Sequence, residues 1–331
     1  MKRIYNSKSY KYIFDTNTGF FARWGETVED DPIYSPIGPE ILDLEISDLC
    51  HGGCKFCYKN NNPVGSHMSF EKFKTIIDKM PTLTQVAFGI GDLDYSFQNG
   101  LIEMFQYLRE RNIVPNITIN GKDFTIQQAK ILAQYCGAVS ISYYNLTDVR
   151  VAVEYLAHCG LKQINIHAMI SEETYENVLE LLANFYKYPE LDNSWTKKVN
   201  AIVFLSLKTK GRGTGFTQLY MDKFTRLIEI VTDNKIPYGA DSCTAHKLML
   251  VIKDKELLKY IEPCESGLFS AYVNKDGIYY PCSFAEGLPE IEGQSVLECN
   301  NFLEDIWNSD FTVSWREKLL QCNRNCPLYE I

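Results

Sequence analysis

No run of 18 apolar residues occurs in this 331-residue sequence, so no membrane-spanning helix is expected. A secretory leader with its apolar segment is missing as well. Eleven cysteines without such a leader point to a reducing compartment, the cytoplasm, rather than to a disulfide framework. Positive charge is not in excess: 33 Lys and Arg stand against 42 Asp and Glu, a net charge of −9. A nucleic-acid partner is therefore not expected, because neutralisation of phosphates by basic residues dominates that kind of binding. No internal repeat or low-complexity tract is visible. What is present, 45% apolar residues, suffices for one large α/β domain with an appendage, or for two domains.

Residues 1–40 are polar and aromatic. Asp15-Thr16-Asn17-Thr18-Gly19 reads as the turn between two short strands, a hairpin laid against the main domain. Pro32, Pro36 and Pro39 separate this hairpin from the rest of the chain. A β/α alternation then begins, with strands expected over 41–46, 84–88, 114–119, 138–142, 161–170 and 200–205. Each is followed by apolar residues at helical spacing, such as Phe73, Ile76, Ile77 and Met80 after the first. Six such units in a row force a parallel sheet with right-handed crossovers. After about residue 236 the pattern changes. Stretches 269–274 and 278–280 flank Lys275-Asp276-Gly277, a hairpin signal, and a last helix is expected through Phe302, Ile306, Trp307, Trp315 and Leu319.

Directly after the first strand comes Cys50-His51-Gly52-Gly53-Cys54-Lys55-Phe56-Cys57-Tyr58. Three thiols spaced C-x3-C-x2-C are one ligand short of a closed zinc site, which His51 or a distant cysteine would have to complete. They suit a cubane iron–sulfur cluster held by three thiolates, with its fourth iron open to a substrate. With an apolar strand before it and the aromatic Tyr58 after it, the motif resembles the signature of the radical S-adenosylmethionine (radical SAM) family. The resemblance implies an α/β fold: a partial (β/α)6 TIM-like barrel with an N-terminal hairpin and a small C-terminal cysteine-rich module. It implies a [4Fe-4S] cluster on Cys50, Cys54 and Cys57 whose unique iron is chelated by SAM. Reduction, by a partner such as flavodoxin or ferredoxin, then yields a 5′-deoxyadenosyl radical that abstracts a substrate hydrogen. Active residues are expected at the C-terminal ends of the strands.

The same resemblance implies further cofactor-binding positions. Family members commonly carry Gly-Gly-Glu after the second strand, where this chain reads Phe88-Gly89-Ile90-Gly91-Asp92. Gly89, Gly91 and Asp92 are the candidates, with an ordinary tight turn as the plain alternative. Ser142 and His167, on strands four and five, match polar groups that contact SAM in the family, and Tyr58 belongs to the same set. A core histidine that is merely hydrogen-bonded is the other reading of His167. Arg212, in Lys208-Thr209-Lys210-Gly211-Arg212-Gly213, resembles a Gly-Arg element that comes after strand six, where a guanidinium forks onto a carboxylate. A solvated basic loop is its alternative.

The C-terminal cysteines form a second group. Cys264 and Cys282 have seventeen residues between them, and Cys322 and Cys326 close the chain as C-x3-C. This resembles the auxiliary-cluster module called twitch, related to the longer SPASM domain. SPASM's central C-x2-C-x5-C is absent, so one auxiliary [4Fe-4S] cluster is implied, on Cys264, Cys282, Cys322 and Cys326, with a structural zinc as the alternative. Cys243 has three open readings: a replacement ligand for that cluster, a hydrogen-atom donor as in radical SAM peptide epimerases, or an inert buried thiol. The domains expected are 1–40, an extension; 41–235, the partial barrel; and 236–331, the auxiliary module. The leading function is hydrogen abstraction from a ribosomal peptide, for epimerisation or cross-linking. A small molecule or nucleotide is the alternative substrate. An iron–sulfur electron-transfer protein that does not turn over SAM is the alternative of another class.

Overall fold

A computed structural model describes residues 1–186 and 194–329. The chain opens with β1 (Lys2–Asn6), β2 (Lys11–Asp15) and β3 (Phe21–Trp24), antiparallel and in that order in a sheet of their own. The expected hairpin is the β2–β3 pair, and β1 is an edge strand added to it. Alternation along β2 buries Tyr12 and Phe14 on one face. The sheet is fastened to the main domain through Glu40, which accepts from the Tyr10 hydroxyl and pairs with Arg23 at 3.0 Å. Arg23 also pairs with Glu265.

The main sheet is built from repeated strand–helix units, as the periodicity predicts. These are β4 (Ile41–Glu45), α1 (Phe70–Asp78), β5 (Gln85–Gly89), α2 (Leu93–Gln98), α3 (Leu101–Glu110), β6 (Val114–Ile119) and α4 (Ile126–Tyr135). The series continues through β7 (Ala138–Ser142), α5 (Leu146–His158), β8 (Gln163–Ile170), α6 (Tyr175–Tyr186), β9 (Ala201–Ser206), α7 (Met221–Asp233) and β10 (Tyr238–Ala240). Strands β4 to β10 lie side by side in chain order, all parallel. Helix starts are set by side chains that accept the first free amides. Ser69 accepts from Lys72, Asn145 from Asp148, and Thr125 with Gln128 closes a reciprocal box.

Strand β8 shows how the layers divide. Ile164, Ile166, Ala168 and Ile170 are buried on one face, whereas Asn165, His167 and Met169 lie on the other. Burial of one such aliphatic side chain contributes about 1.5–3 kcal/mol. A single cavity of ≈540 Å3 takes side chains from β4 to β9 and from the segment after β10. The parallel sheet is therefore curled around it, an open barrel.

The C-terminal residues continue this sheet instead of forming a separate one. After α8 (Ala245–Val251) and α9 (Lys255–Leu258), β11 (Ser270–Val273) adds to the free side of β4, parallel to it. Strands β12 (Ile278–Tyr280) and β13 (Gln294–Ser295) come next, antiparallel. The division expected at residue 236 thus does not interrupt hydrogen bonding: β10 and β11 border the barrel strands on opposite sides. The single last helix expected from residue 302 is two pieces. Leu303–Trp307 forms one wide turn, and Ser309 caps a new helix, α10 (Asp310–Gln321), by accepting from Thr312.

Candidate active site: two cysteine groups on neighbouring cavities

The loop after β4 carries Cys50, Cys54 and Cys57, all half-buried, at the C-terminal end of the parallel strands. Its backbone is fixed at several points. Cys50 N–H donates to Asn62 O at 2.9 Å, Arg212 Nε donates to Cys54 O at 2.7 Å, and Arg212 N–H donates to Cys57 O at 3.0 Å. A β-carbon placed on Gly52 would lie 3.3 Å from Cys50 Sγ and 3.7 Å from Cys54 Sγ, so these sulfurs flank one point. Burial pushes the Cys50 thiol up, and so do the nearby Cys54 and Cys57.

Among the described residues, no three Cys, His, Asp or Glu side chains close on a point at the spacing of a single ion. A cubane presents each thiolate with its own iron and so accepts a wider triangle, which suits three sulfurs spread over one loop. The donor set, three thiols without a carboxylate among them, has the soft chemistry of such a cluster.

The cavity beside this loop is lined by Cys54, Cys57, Gly89, Ser142, His167 and Met169, together with Asp43, Lys208, Asp241 and Phe284. Ser142 and His167 are directly opposite in the β7–β8 register, and neither side chain hydrogen-bonds another described residue. Burial pushes the His167 imidazole down to about 4, the Asp241 charge only partly opposing this, so the ring is neutral at pH 7. Asp43 is enclosed in this interior, and burial pushes its carboxyl up to about 6. At the mouth, Phe56 stacks on Tyr144, with ring centres 5.6 Å apart and planes 10° apart. The Tyr144 hydroxyl lies 3.1 Å from Cys54 Sγ. These rings divide the cavity from an open cleft of ≈720 Å3 lined by Asn120, Lys122, Asp148 and Glu173.

The residues that the sequence marks as cofactor ligands are divided between the cavity wall and the support of the cysteine loop. Gly91 and Asp92 do not line the cavity; they support the cysteine loop from beneath. Gly91 is left-handed (φ +62°) with Leu49 O packed against it, and Asp92 N–H donates to Leu49 O at 3.0 Å. The Asp92 carboxylate caps α2 through Tyr95 N–H and lies 3.1 Å from His51 Nδ1. Tyr58 packs against Phe284 of the C-terminal segment, ring centres 4.4 Å apart, and lines the cavity as well. Arg212 binds main-chain carbonyls of the cysteine loop and is absent from the cavity wall. Tyr58, Gly89, Ser142 and His167 line it.

A second cavity of ≈210 Å3 adjoins the first. Cys243, Cys264, Cys282 and Cys326 line it. Burial pushes the Cys282 thiol up to about 12, with Cys264 and Cys326 adding to the effect. Cys322 does not line this cavity and is exposed. Cys243, outside the tetrad that the sequence reading named, lines the cavity with the other three. The reason is topological: β10 runs parallel beside β9 and delivers the segment Asp241–Cys243 to the same end of the sheet. Arg324 secures the opposite wall, donating from Nε to Cys264 O at 3.0 Å and accepting from Cys264 N–H at 3.1 Å. Asp43, Asp241 and Phe284 line both cavities. Sequence reasoning missed Asp43, Lys208, Asp241, Phe56, Tyr144 and Phe284. Phe56 inside the cysteine motif and Tyr144 after Ser142 were the available signals.

No family model and no curated protein matches the sequence. Solved structures do match in shape. Streptococcus suis SuiB bound to precursor peptide SuiA is similar with a TM-score of 0.69 at 14% identity, over 96% of this chain and 90% of that one. SuiB bound to S-adenosylmethionine gives 0.66 at 15% identity, over 85% and 68%. The chain shares the fold of SuiB. Native anSMEcpe with bound AdoMet and Cp18Cys peptide gives 0.61 at 15% identity, over 83% and 82%. At these identities the likeness is one of architecture, and it agrees with the open barrel of parallel strands β4 to β10.

Proposed function

We propose that this chain is a radical SAM enzyme that abstracts hydrogen from a peptide. The observation that carries the reading is the position of the Cys50–Cys57 loop, whose Cys54 and Cys57 line a cavity with unpartnered polar groups on its strand ends. Cys50, Cys54 and Cys57 would hold a [4Fe-4S] cluster. When bound, that cluster supplies the electron that splits the SAM sulfonium and so generates the hydrogen-abstracting radical.

The chain's own residues have separable tasks. Arg212, Gly91 and Asp92 hold the cysteine loop in register with the cavity. Ser142 and the neutral His167 offer hydrogen bonds without adding charge, which suits a zwitterionic nucleoside. Phe56 and Tyr144 exclude water at the mouth. Cys243, Cys264, Cys282 and Cys326 are the set proposed for one auxiliary cluster, with a ferredoxin- or flavodoxin-type donor as reductant. The polar cleft beyond Phe56 and Tyr144 offers an extended chain a route inward. The peptides named in the SuiB and anSMEcpe structures support that substrate class.

Anaerobic reconstitution followed by dithionite reduction with SAM tests the enzyme reading. 5′-Deoxyadenosine is expected from the intact protein and not from Cys54→Ala. Zinc in the first site, or no nucleoside product from an iron-loaded protein, would reject it.

A further inference from the structure

Lys208 stands where the two cavities meet. It leaves the end of β9, its side chain is 2% exposed, and its ammonium donates to Ser206 O at 2.9 Å. Asp241 Oδ2 lies 3.4 Å away and the centre of the Phe284 ring 5.0 Å away. Both of those residues line both cavities, so the ammonium sits behind their common wall. Cys243, which lines the smaller cavity, lies near enough that its charge, like that of Asp241, raises the ammonium's pKa against the opposing effect of burial. A buried ammonium is costly unless anions and acceptors surround it, and a single carboxylate at 3.4 Å is a long partner. A neutral Cys243 thiol gives little in return; a metal-bound thiolate would supply the second anion.

The other cysteine group has no counterpart to this lysine among the described residues. Arg212 donates to main-chain carbonyls there, and Lys59 is taken up by Glu45 at 3.1 Å, by Glu286 and by the Tyr272 hydroxyl at 2.5 Å.

We propose that Lys208 tunes an iron–sulfur cluster on Cys243, Cys264, Cys282 and Cys326, its ammonium donating to Cys243 Sγ and making that cluster easier to reduce. This rests on the assignment of those four cysteines to an auxiliary cluster. Its physical basis is general. Hydrogen bonds to the sulfurs and local charge set cluster potentials, and a cationic donor favours the more negative, reduced state. Lys208 thereby acts on the cluster through Cys243, while its stem forms part of the wall of the larger cavity.

The test uses full-length protein carrying Cys50→Ala, Cys54→Ala and Cys57→Ala, reconstituted without oxygen so that one cluster remains. Iron and sulfide are counted, and the cluster is titrated against solution potential by electron paramagnetic resonance. Lys208→Met is expected to keep the iron and sulfide while its reduced-to-oxidised ratio at a fixed potential falls about tenfold, equivalent to about 59 mV for one electron. Lys208→Arg is expected to stay near the parent. If Lys208→Met loses iron, Lys208→Gln takes its place, keeping a donor for Asp241 without the charge, and the same fall is expected. An iron-loaded neutral variant with an unmoved ratio overturns the proposal alone. Zinc, or no iron, in the parent overturns the auxiliary-cluster reading and the proposal with it.

Discussion

Arg212 Nε donates to the main-chain carbonyl of Cys54 at 2.7 Å, tying the loop after β9 to the loop that carries the three-cysteine motif. Its Nη1 donates onward to Asn61 O at 3.0 Å, and its own N–H to Cys57 O at 3.0 Å. The guanidinium is a clasp on the cysteine loop. Hydrogen bonds from a charged donor contribute about 1.5–3 kcal/mol each. Arg212→Ala is expected to lose iron to a chelator several-fold faster than the intact protein. Arg212→Lys recovers little, because one ammonium does not reproduce the planar fork across Cys54 and Asn61. Equal chelation rates for all three proteins would show that the clasp does not hold the loop.

Cys243 and Cys322 separate the two versions of the second site. Cys243 lines the ≈210 Å3 cavity with Cys264, Cys282 and Cys326, whereas Cys322 is exposed and outside it. In reconstituted protein, Cys243→Ala is expected to lose one cubane's complement of iron and sulfide. Cys322→Ala is expected to keep both. The reverse pattern in the iron count would restore Cys322 as the ligand and remove Cys243.

The strand–helix alternation was legible because short, apolar-rich runs alternate with helical stripes, even though strands such as β8 and β9 fully bury only one face. The cysteine loop was legible because its spacing lies within one turn of chain. The second site was only half so. Cys264, Cys282 and Cys326 come from its C-terminal segment, but Cys243 arrives from β10, which hydrogen-bonds to β9, and sequence separation hides that neighbourhood. The roles of Arg212 and Asp92 were obscured for a different reason. Residue type announces a charge, and only the fold decides whether the charge meets a ligand or a loop carbonyl. Lys208 and Asp241 carry ordinary residue types in ordinary loops, and their place on the cavity walls is a property of the curled sheet.

Glu40 gives the fold a pH dependence of predictable sign. Burial, partly offset by Arg23 and the Tyr10 hydroxyl, pushes its carboxyl up from 4.5 to about 7. Between those values the folded chain holds a proton that the unfolded chain has released. The contribution of Glu40 to stability therefore declines as pH rises through this window and is level above it. At 1.36 kcal/mol per pH unit the full decline is about 3 kcal/mol. Glu40→Gln removes this slope. The stability of the variant relative to the native protein, from denaturant melts across the window, is expected to rise with pH by up to that amount. Parallel curves for the two proteins would contradict the shift.

Gly91 packs against the segment that leads into the cysteine loop. Its backbone is left-handed (φ +62°), and a β-carbon there would run into Leu49 O and lie 3.1 Å from Leu49 C. An L-residue in that conformation costs roughly 1–2 kcal/mol from the backbone alone, and relief of the clash requires the segment just before Cys50 to move. Asp92 N–H, bonded to Leu49 O at 3.0 Å, would be displaced with it. Gly91→Ala is thus expected to fold with its parallel sheet intact, because Gly91 lies beyond the end of β5, yet to bind less iron at the first site. Far-ultraviolet circular dichroism and the iron count together check this. A protein with native iron content would mean that the loop adapts freely, and that its register with the cavity does not depend on the Gly91–Leu49 contact.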